Sequence, residues 1–230
     1  MKASVIIPVF NEINTIAEII QRVRATPLDA QLELIVVDDG STDGTRQLLE
    51  ALAAVHDEIV LVRLERNSGK GTAVRRALEH VTGELTIIQD ADLEYDPRDY
   101  PALVRPLVEG RADVVFGNRF HGGEHRVLYY RHFLGNRLLT AVCNLLTDLN
   151  MSDIEAGYKV FRTSLLKQLR LRARRFDIEP ELVIKCARVG ARIYEVPISY
   201  HGRTYAEGKK IRWRDGISAL WQMLVFRALG

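Results

Sequence analysis

Short apolar runs that alternate with amphipathic stretches constrain this chain more than any other feature. Ser4-Val5-Ile6-Ile7 is closed by Pro8. Leu34-Ile35-Val36-Val37, Ile59-Val60-Leu61-Val62, Leu85-Thr86-Ile87-Ile88 and Asp113-Val114-Val115-Phe116-Gly117 follow. Runs apolar on successive residues mark strands buried on both faces. Between them, Ile16, Ile19, Ile20 and Val23 recur at helical spacing, as do Leu48, Leu49, Leu52 and Val55, then Val74, Ala77, Leu78 and Val81. One more helix is expected near residues 100–109. Strands alternating with helices predict a parallel α/β sheet with right-handed crossovers. A length of 230 residues suits one such domain with or without a short appendage.

Ligands of open parallel sheets bind beyond the carboxyl ends of the strands. Polar segments follow the runs here: Asn11-Glu12, Asp38-Asp39, Gly69-Lys70-Gly71, the stretch from Gln89 to Asp96, and Asn118-Arg119. Several carry acids, and carboxylates gathered on one rim repel unless a cation joins them. Asp90-Ala91-Asp92 is therefore a candidate clamp for a divalent ion, because hard cations share one or two carboxylates with substrate phosphates. Two aspartates at that spacing arise about once by chance in an average chain of this size, so the neighbouring loops carry the reading.

The second half is less regular. Leu134, Leu138, Val142, Leu145 and Leu149 predict a long helix with that face inward. Lys159-Val160-Phe161 predicts a short strand, and Pro180 starts a helix over residues 179–189. Residues 192–198 predict an edge strand, because Pro197 cannot donate to a ladder. Residues 200–210 read as a mobile loop. Ile217, Leu220, Trp221, Leu224 and Val225 share one face of a final helix, preceded by Lys209, Lys210, Arg212 and Arg214 around Trp213. Basic residues beside an aromatic and an apolar helical face suit an interfacial helix; an ordinary packing helix is the alternative. Arg170, Arg172, Arg174 and Arg175 read as a solvated face or as a contact for phosphates or anionic lipid.

Other classes are excluded or disfavoured. Net charge is +2 and no nucleic-acid motif accompanies the basic clusters. Cys143 and Cys186 read as reduced, buried small side chains, pointing to a cytosolic compartment. The opening residues run straight into a strand, leaving no signal peptide, and no run of 18 apolar residues could span a membrane. Asn67-Ser68-Gly69-Lys70-Gly71-Thr72 lacks the residues a P-loop needs, since Leu64 and Gly71 stand at its defining positions. His121 and His125 flank two glycines, which argues against a helical zinc pair. No nucleophile–base pairing is evident.

At this level the chain resembles glycosyltransferase family 2, in its dolichol-phosphate mannose synthase-like branch. The resemblance rests on Val5-Ile6-Ile7-Pro8-Val9-Phe10-Asn11-Glu12, Asp38-Asp39-Gly40-Ser41, Asn67-Ser68-Gly69-Lys70-Gly71, Asp90-Ala91-Asp92 and Gly117-Asn118-Arg119. It continues through DIEAGYKVF (residues 153–161), FDIEPE (residues 176–181) and Glu195-Val196-Pro197. It implies a GT-A, Rossmann-like catalytic domain over residues 1–211, with residues 212–230 as an amphipathic appendage.

The implied donor side is Pro8, Asn11, Glu12, Asp38, Asp39, Lys70, Asp90 and Lys210. Asp90, Asp92 and Glu94 would hold Mg²⁺ or Mn²⁺. Arg119, Arg131, Asp153 and Arg203 would meet the acceptor, with Asp90, Asp92, Arg119 and Arg131 central to catalysis. Glu94 stands where relatives often carry Gln, and Ala156 where a small hydroxyl residue is frequent. The implied reaction is inverting transfer of a hexose from a nucleotide sugar, GDP-mannose or a UDP-hexose, to a polyprenyl or dolichyl phosphate. The expected setting is peripheral, on the cytoplasmic membrane face, with a membrane protein or a second copy as possible partner. A soluble or protein acceptor would require a base, for which Asp153 or Glu179 are the candidates. A non-catalytic nucleotide-sugar scaffold is the remote alternative.

Overall fold

Strands β1 (Lys2–Val9), β2 (Gln31–Asp38), β3 (Ile59–Arg63), β4 (Leu85–Ile88), β5 (Val114–Asn118), β6 (Lys159–Arg162) and β7 (Ile193–Pro197) form one sheet. Their order is β3-β2-β1-β4-β6-β5-β7. This computed structural model describes residues 1–122, 125–207 and 213–229. All pairings are parallel except those of β6, which runs antiparallel between β4 and β5. The helices are α1 (Ile16–Arg24), α2 (Thr45–Val55), α3 (Lys70–Ala77), α4 (Tyr100–Val108), α5 (Tyr130–Thr147), α6 (Thr163–Gln168), α7 (Ile178–Arg188) and α8 (Trp213–Leu229).

The continuous apolar runs are explained by a core on each face of the sheet. In β1, Val5, Ile7 and Val9 enter one core while Ile6 enters the other. In β2, Leu34 and Val36 face the first core, and Ile35 and Val37 the second. Burial of each such side chain stabilises the fold by about 1.5–3 kcal/mol. Helix α1 buries Ile16, Ile19, Ile20 and Val23, the face expected from their spacing. Strand β7 lies at the sheet edge, as Pro197 requires. Cys143 and Cys186 are both buried, and burial pushes each thiol up to about 12.

Three expected helix faces are corrected. Val55, the last residue of α2, is exposed. In α5, Leu134, Leu138 and Leu145 point outward, and Asn136, Thr140 and Cys143 turn inward. The cause is the segment that α5 supports: Asn136 Nδ2 donates to Asp153 Oδ1 at 3.0 Å, and Thr140 Oγ1 accepts from Ile154 N at 3.5 Å. A polar loop under a helix needs polar partners from it. In α8, Ala219, Met223 and Phe226 face inward against α5 and α7, while Trp221 and Leu224 are exposed. Lys209, Lys210 and Arg212 lie outside the described residues, as do the side chains of Trp213, Arg214 and Ile217.

Candidate active site

The carboxyl ends of β1, β2, β4 and β5 bring the expected polar segments to one rim. After β1, Asn11 takes a left-handed conformation with φ 51°, which asparagine tolerates better than most residues. Its Oδ1 accepts from Thr42 N at 2.8 Å and its backbone N donates to Ser41 Oγ at 3.0 Å. The turns after β1 and β2 are thereby locked together. Asp38 is fully buried, accepting from Ser41 N and from Arg46 Nε at 2.6 Å. Asp39 accepts from Ser68 N at 2.7 Å and Gly69 N at 2.8 Å. Burial raises the Asp39 carboxyl, against the pull of those two amides. Both aspartates thus brace the turns after β2 and β3.

Asp39 anchors the turn that starts α3, and Lys70 then reaches the cleft. Its Nζ lies 2.6 Å from Asp90 Oδ1 and 2.8 Å from Glu179 Oε1. Glu179 also pairs with Lys159, which is fully buried on β6. A chain of alternating charges therefore runs Asp90–Lys70–Glu179–Lys159 beneath the rim.

Gln89 fixes the acidic loop from below. Its Oε1 accepts from Tyr100 Oη at 2.6 Å and Tyr158 Oη at 2.7 Å, and its Nε2 donates to the Asp90 carbonyl at 2.9 Å. Leu93 sits at φ 61°, a costly conformation for a branched side chain and one found at functional turns. Gly157 packs beneath Asp90 so closely that a Cβ there would lie 2.0 Å from Asp90 Oδ2.

Asp92 Oδ2 lies 2.7 Å from Arg203 Nη2, and Glu94 Oε1 accepts from Arg203 N at 2.9 Å. Glu12 Oε1 is 3.4 Å from Arg203 Nη1. Arg203, an acceptor candidate from the sequence, lies against Asp92, Glu94 and Glu12. Burial pushes the Asp92 carboxyl well up, and the charges of Asp90 and Glu94 add to it against Arg203. The acids thus gather more negative charge than the nearby cations offset, and hard oxygen donors in this state suit Mg²⁺ or Mn²⁺. Asp90 and Asp92 fit such an ion. Among the described residues no three potential ligands already converge, so phosphate oxygens would complete its shell.

On the other wall, Arg119 follows β5. Its Nε and Nη2 lie 2.7 and 2.8 Å from Asp153, leaving Nη1 outside that pair. Asp153, expected to touch acceptor, is fully buried and instead orients Arg119. Arg131 is exposed on α5. Both arginines line a groove of about 900 Å³ whose walls include Phe120, Leu128, Phe133, Leu139 and Tyr200. Glu155, Lys159, Gln89 and Gly157 were not singled out from sequence. Their signals are membership in the stretch from Gln89 to Asp96 and in the DIEAGYKVF motif, together with a lone lysine in the apolar Lys159-Val160-Phe161 strand.

A model of the family described as Glycosyl transferase family 2 matches residues 4–170. The chain belongs to that family. Family 2 relatives include glycosyltransferase AglJ of Haloferax volcanii, 32% identical over 86% of this chain and 63% of the relative. The undecaprenyl-phosphate 4-deoxy-4-formamido-L-arabinose transferase of Edwardsiella ictaluri is 32% identical over 90% of this chain and 62% of its own length. The dodecaprenyl-phosphate galacturonate synthase of Rhizobium johnstonii is 30% identical over 91% and 62%. The chain thus spans just under two thirds of these relatives. The fold matches glucosyl-3-phosphoglycerate synthase of Mycobacterium tuberculosis, solved with Mn²⁺, UDP-glucose and phosphoglyceric acid. The TM-score is 0.73 at 24% identity, covering 100% of this chain and 80% of that one. The sheet is therefore the GT-A-like sheet of family 2.

Proposed function

We propose that this chain is the catalytic part of an inverting transferase that moves a hexose from a nucleotide sugar to a polyprenyl phosphate. The observation that carries the reading is the juxtaposition of the Asp90–Asp92 rim with the groove beside Arg119 and Arg131. One wall suits a nucleoside diphosphate. The other offers one guanidinium held in place by Asp153, that of Arg119, and the exposed Arg131 beside an apolar groove, as an acceptor with a phosphate head and a hydrocarbon tail requires. The names of two relatives, an undecaprenyl-phosphate and a dodecaprenyl-phosphate sugar transferase, support the same acceptor class.

A Mg²⁺ or Mn²⁺ ion held by Asp90 and Asp92, with Glu94 near, would offset charge that develops on the departing diphosphate. Lys70 is placed to add a second positive charge on that side. An acceptor phosphate oxygen attacks the anomeric carbon in line, the bond to the nucleoside diphosphate breaks, and configuration inverts. The attacking oxygen is already anionic, so no base is needed. Asp153 and Glu179, the two candidate bases for an alcohol acceptor, are both held in buried ion pairs, which favours the phosphate acceptor.

Among the described residues no helix is long and apolar enough to cross a membrane. Val127, Tyr130 and Leu138, which line the groove, are nevertheless exposed, as are Leu134 of α5 and Trp221 and Leu224 of α8. A cluster of this kind suits peripheral contact with a lipid surface. The experiment that tests the function is incubation with Mn²⁺, a polyprenyl phosphate and a panel of radiolabelled nucleotide sugars. A labelled glycolipid from one donor is expected; none from any donor would sink the reading.

A further inference from the structure

Glu155 stands apart from the charged groups around it. It lies between Asp153 and β6 and lines the groove together with Arg119. Its backbone N donates to Asp153 Oδ1 at 3.3 Å. Its Oε1 is buried without any hydrogen-bond partner among the described residues. The two neighbouring carboxylates among the described residues are paired. Asp153 holds Arg119 and Asn136, and Glu179 holds Lys70 and Lys159.

Four charged groups act on Glu155. Glu179 from α7 and Asp153 from its own loop disfavour a charge there. Arg119 from the end of β5 and Lys159 from β6 favour one, but each is already engaged, Arg119 by Asp153 and Lys159 by Glu179 and the Ala156 carbonyl. Arg131 and His132 of α5 line the same groove farther along. Burial comes first in pushing the Glu155 carboxyl up to about 7, and Glu179 adds to it. An ionised carboxylate left buried and unpaired is costly, so such a group holds its proton. A protonated carboxyl has one O–H to donate, and no acceptor for that hydrogen is present at Oε1.

We infer that Glu155, as a neutral acid, donates a hydrogen bond to a non-attacking oxygen of the acceptor's phosphate, beside Arg119. This rests on the phosphate-acceptor reading above and adds a group that reads the protonation state of the site. A carboxylate at this place would repel a phosphate dianion. Binding therefore selects the protonated form, and above neutrality the acceptor must bring a proton with it. The proton stays on Glu155 throughout transfer, and the attacking oxygen is a different one.

The test is calorimetric titration of farnesyl phosphate into the wild type and Glu155→Gln at pH 6.5 to 9, in two buffers of different ionisation enthalpy. Gln mimics the neutral acid in shape and keeps a donor. At pH 8 the wild type should take up close to one proton on binding and E155Q none. Wild-type affinity should fall about tenfold per pH unit above 8 relative to E155Q, following the linkage between proton and ligand. In steady state, E155Q should flatten the alkaline rise in acceptor KM while leaving kcat within a few-fold. Binding by the wild type without proton uptake overturns the inference alone, whatever the variant does. Loss of turnover in folded E155Q at every pH would make Glu155 a base and overturns it equally. Absence of binding by either protein overturns the acceptor reading and this inference with it.

Discussion

Arg203 Nη2 lies 2.7 Å from Asp92 Oδ2, so the protein's own guanidinium sits against the acid pair that an ion and a diphosphate would otherwise neutralise. The same arginine is 3.5 Å from Glu94 and 3.4 Å from Glu12. A cation arriving at Asp92 competes with it. Arg203→Gln should therefore bind Mn²⁺ about three- to tenfold more tightly, as removal of one partly screened positive charge implies. Calorimetric titration with Mn²⁺ reads this directly, and unchanged affinity would show that Arg203 does not compete. Asp92→Asn should do the opposite and lower transfer by about 10²–10³-fold, the usual cost of losing a group that stabilises developing charge. Its melting temperature should stay near the wild type.

Gly157 faces Asp90 with no space for a methyl group. Gly157→Ala should displace the Asp90 carboxylate and cost about 1–3 kcal/mol in overpacking. Thermal melts should show a folded protein, and the transfer assay should show turnover reduced to a small fraction. A variant with wild-type turnover would mean that Asp90 can move without consequence.

Asp153 and Arg119 form a buried bidentate pair. Asp153→Asn leaves a guanidinium without its counter-charge, and breaking a buried pair from one side costs about 3–5 kcal/mol. Chemical denaturation should show that loss. Acceptor KM should also rise, since Arg119 is no longer held in place.

Glu33 links β2 to the turn before β4, accepting from Thr82 N at 2.7 Å, Thr82 Oγ1 at 2.6 Å and Gly83 N at 3.1 Å. Burial alone would raise its carboxyl, yet hydrogen bonds from Lys2, Ser4 and Thr82 outweigh it and hold the group at about 2, against 4.5 ordinarily. A group depressed on folding contributes stability that is complete above pH 4.5 and lost as pH falls through about 2. Glu33→Gln should cost about 1–3 kcal/mol at pH 7. The gap to the wild type should narrow in melts taken at pH 4 and then 2.5.

Leu134 and Leu138 are exposed on α5, and Leu138 lines the groove. Replacing both with Ser should leave stability unchanged, because neither is buried, and should lower recovery with anionic vesicles in flotation. Equal recovery would remove membrane contact through this face.

The first half of the fold was legible because both faces of each strand are apolar and each helix presents one stripe. That is why the Ile16–Ile19–Ile20–Val23 face was read correctly. The same logic failed for α5. Its leucines form a good helical stripe, yet Asn136 and Thr140 are the residues that turn inward, because they support the segment holding Asp153. Periodicity reports apolar faces and says nothing about whether the neighbouring surface is polar. At the site, the motifs located the rim but not its internal charges. Arg203 against Asp92, and Asp153 behind Arg119, depend on contacts between residues 111 and 34 positions apart. Local pattern carries no information at that range.

The reversed direction of β6 has a consequence for how the cleft is supplied. Lys159, its first residue, aligns with Ile88, the last of β4. The loops after β1, β2, β4 and β5 are exits from their strands, whereas residues 148–158 are an entrance. Asp153, Glu155 and Gly157 therefore reach the rim from the opposite chain direction, on a segment tethered to α5 at one end and to β6 at the other. Changing its length or composition rewrites the wall that faces Arg119 while the exits from β1 and β2 keep their frame. A sheet with one inverted member thus lets the Arg119 wall vary while the exits of β1 and β2 stay fixed, with Gly157 against Asp90 as the point where the two walls remain coupled.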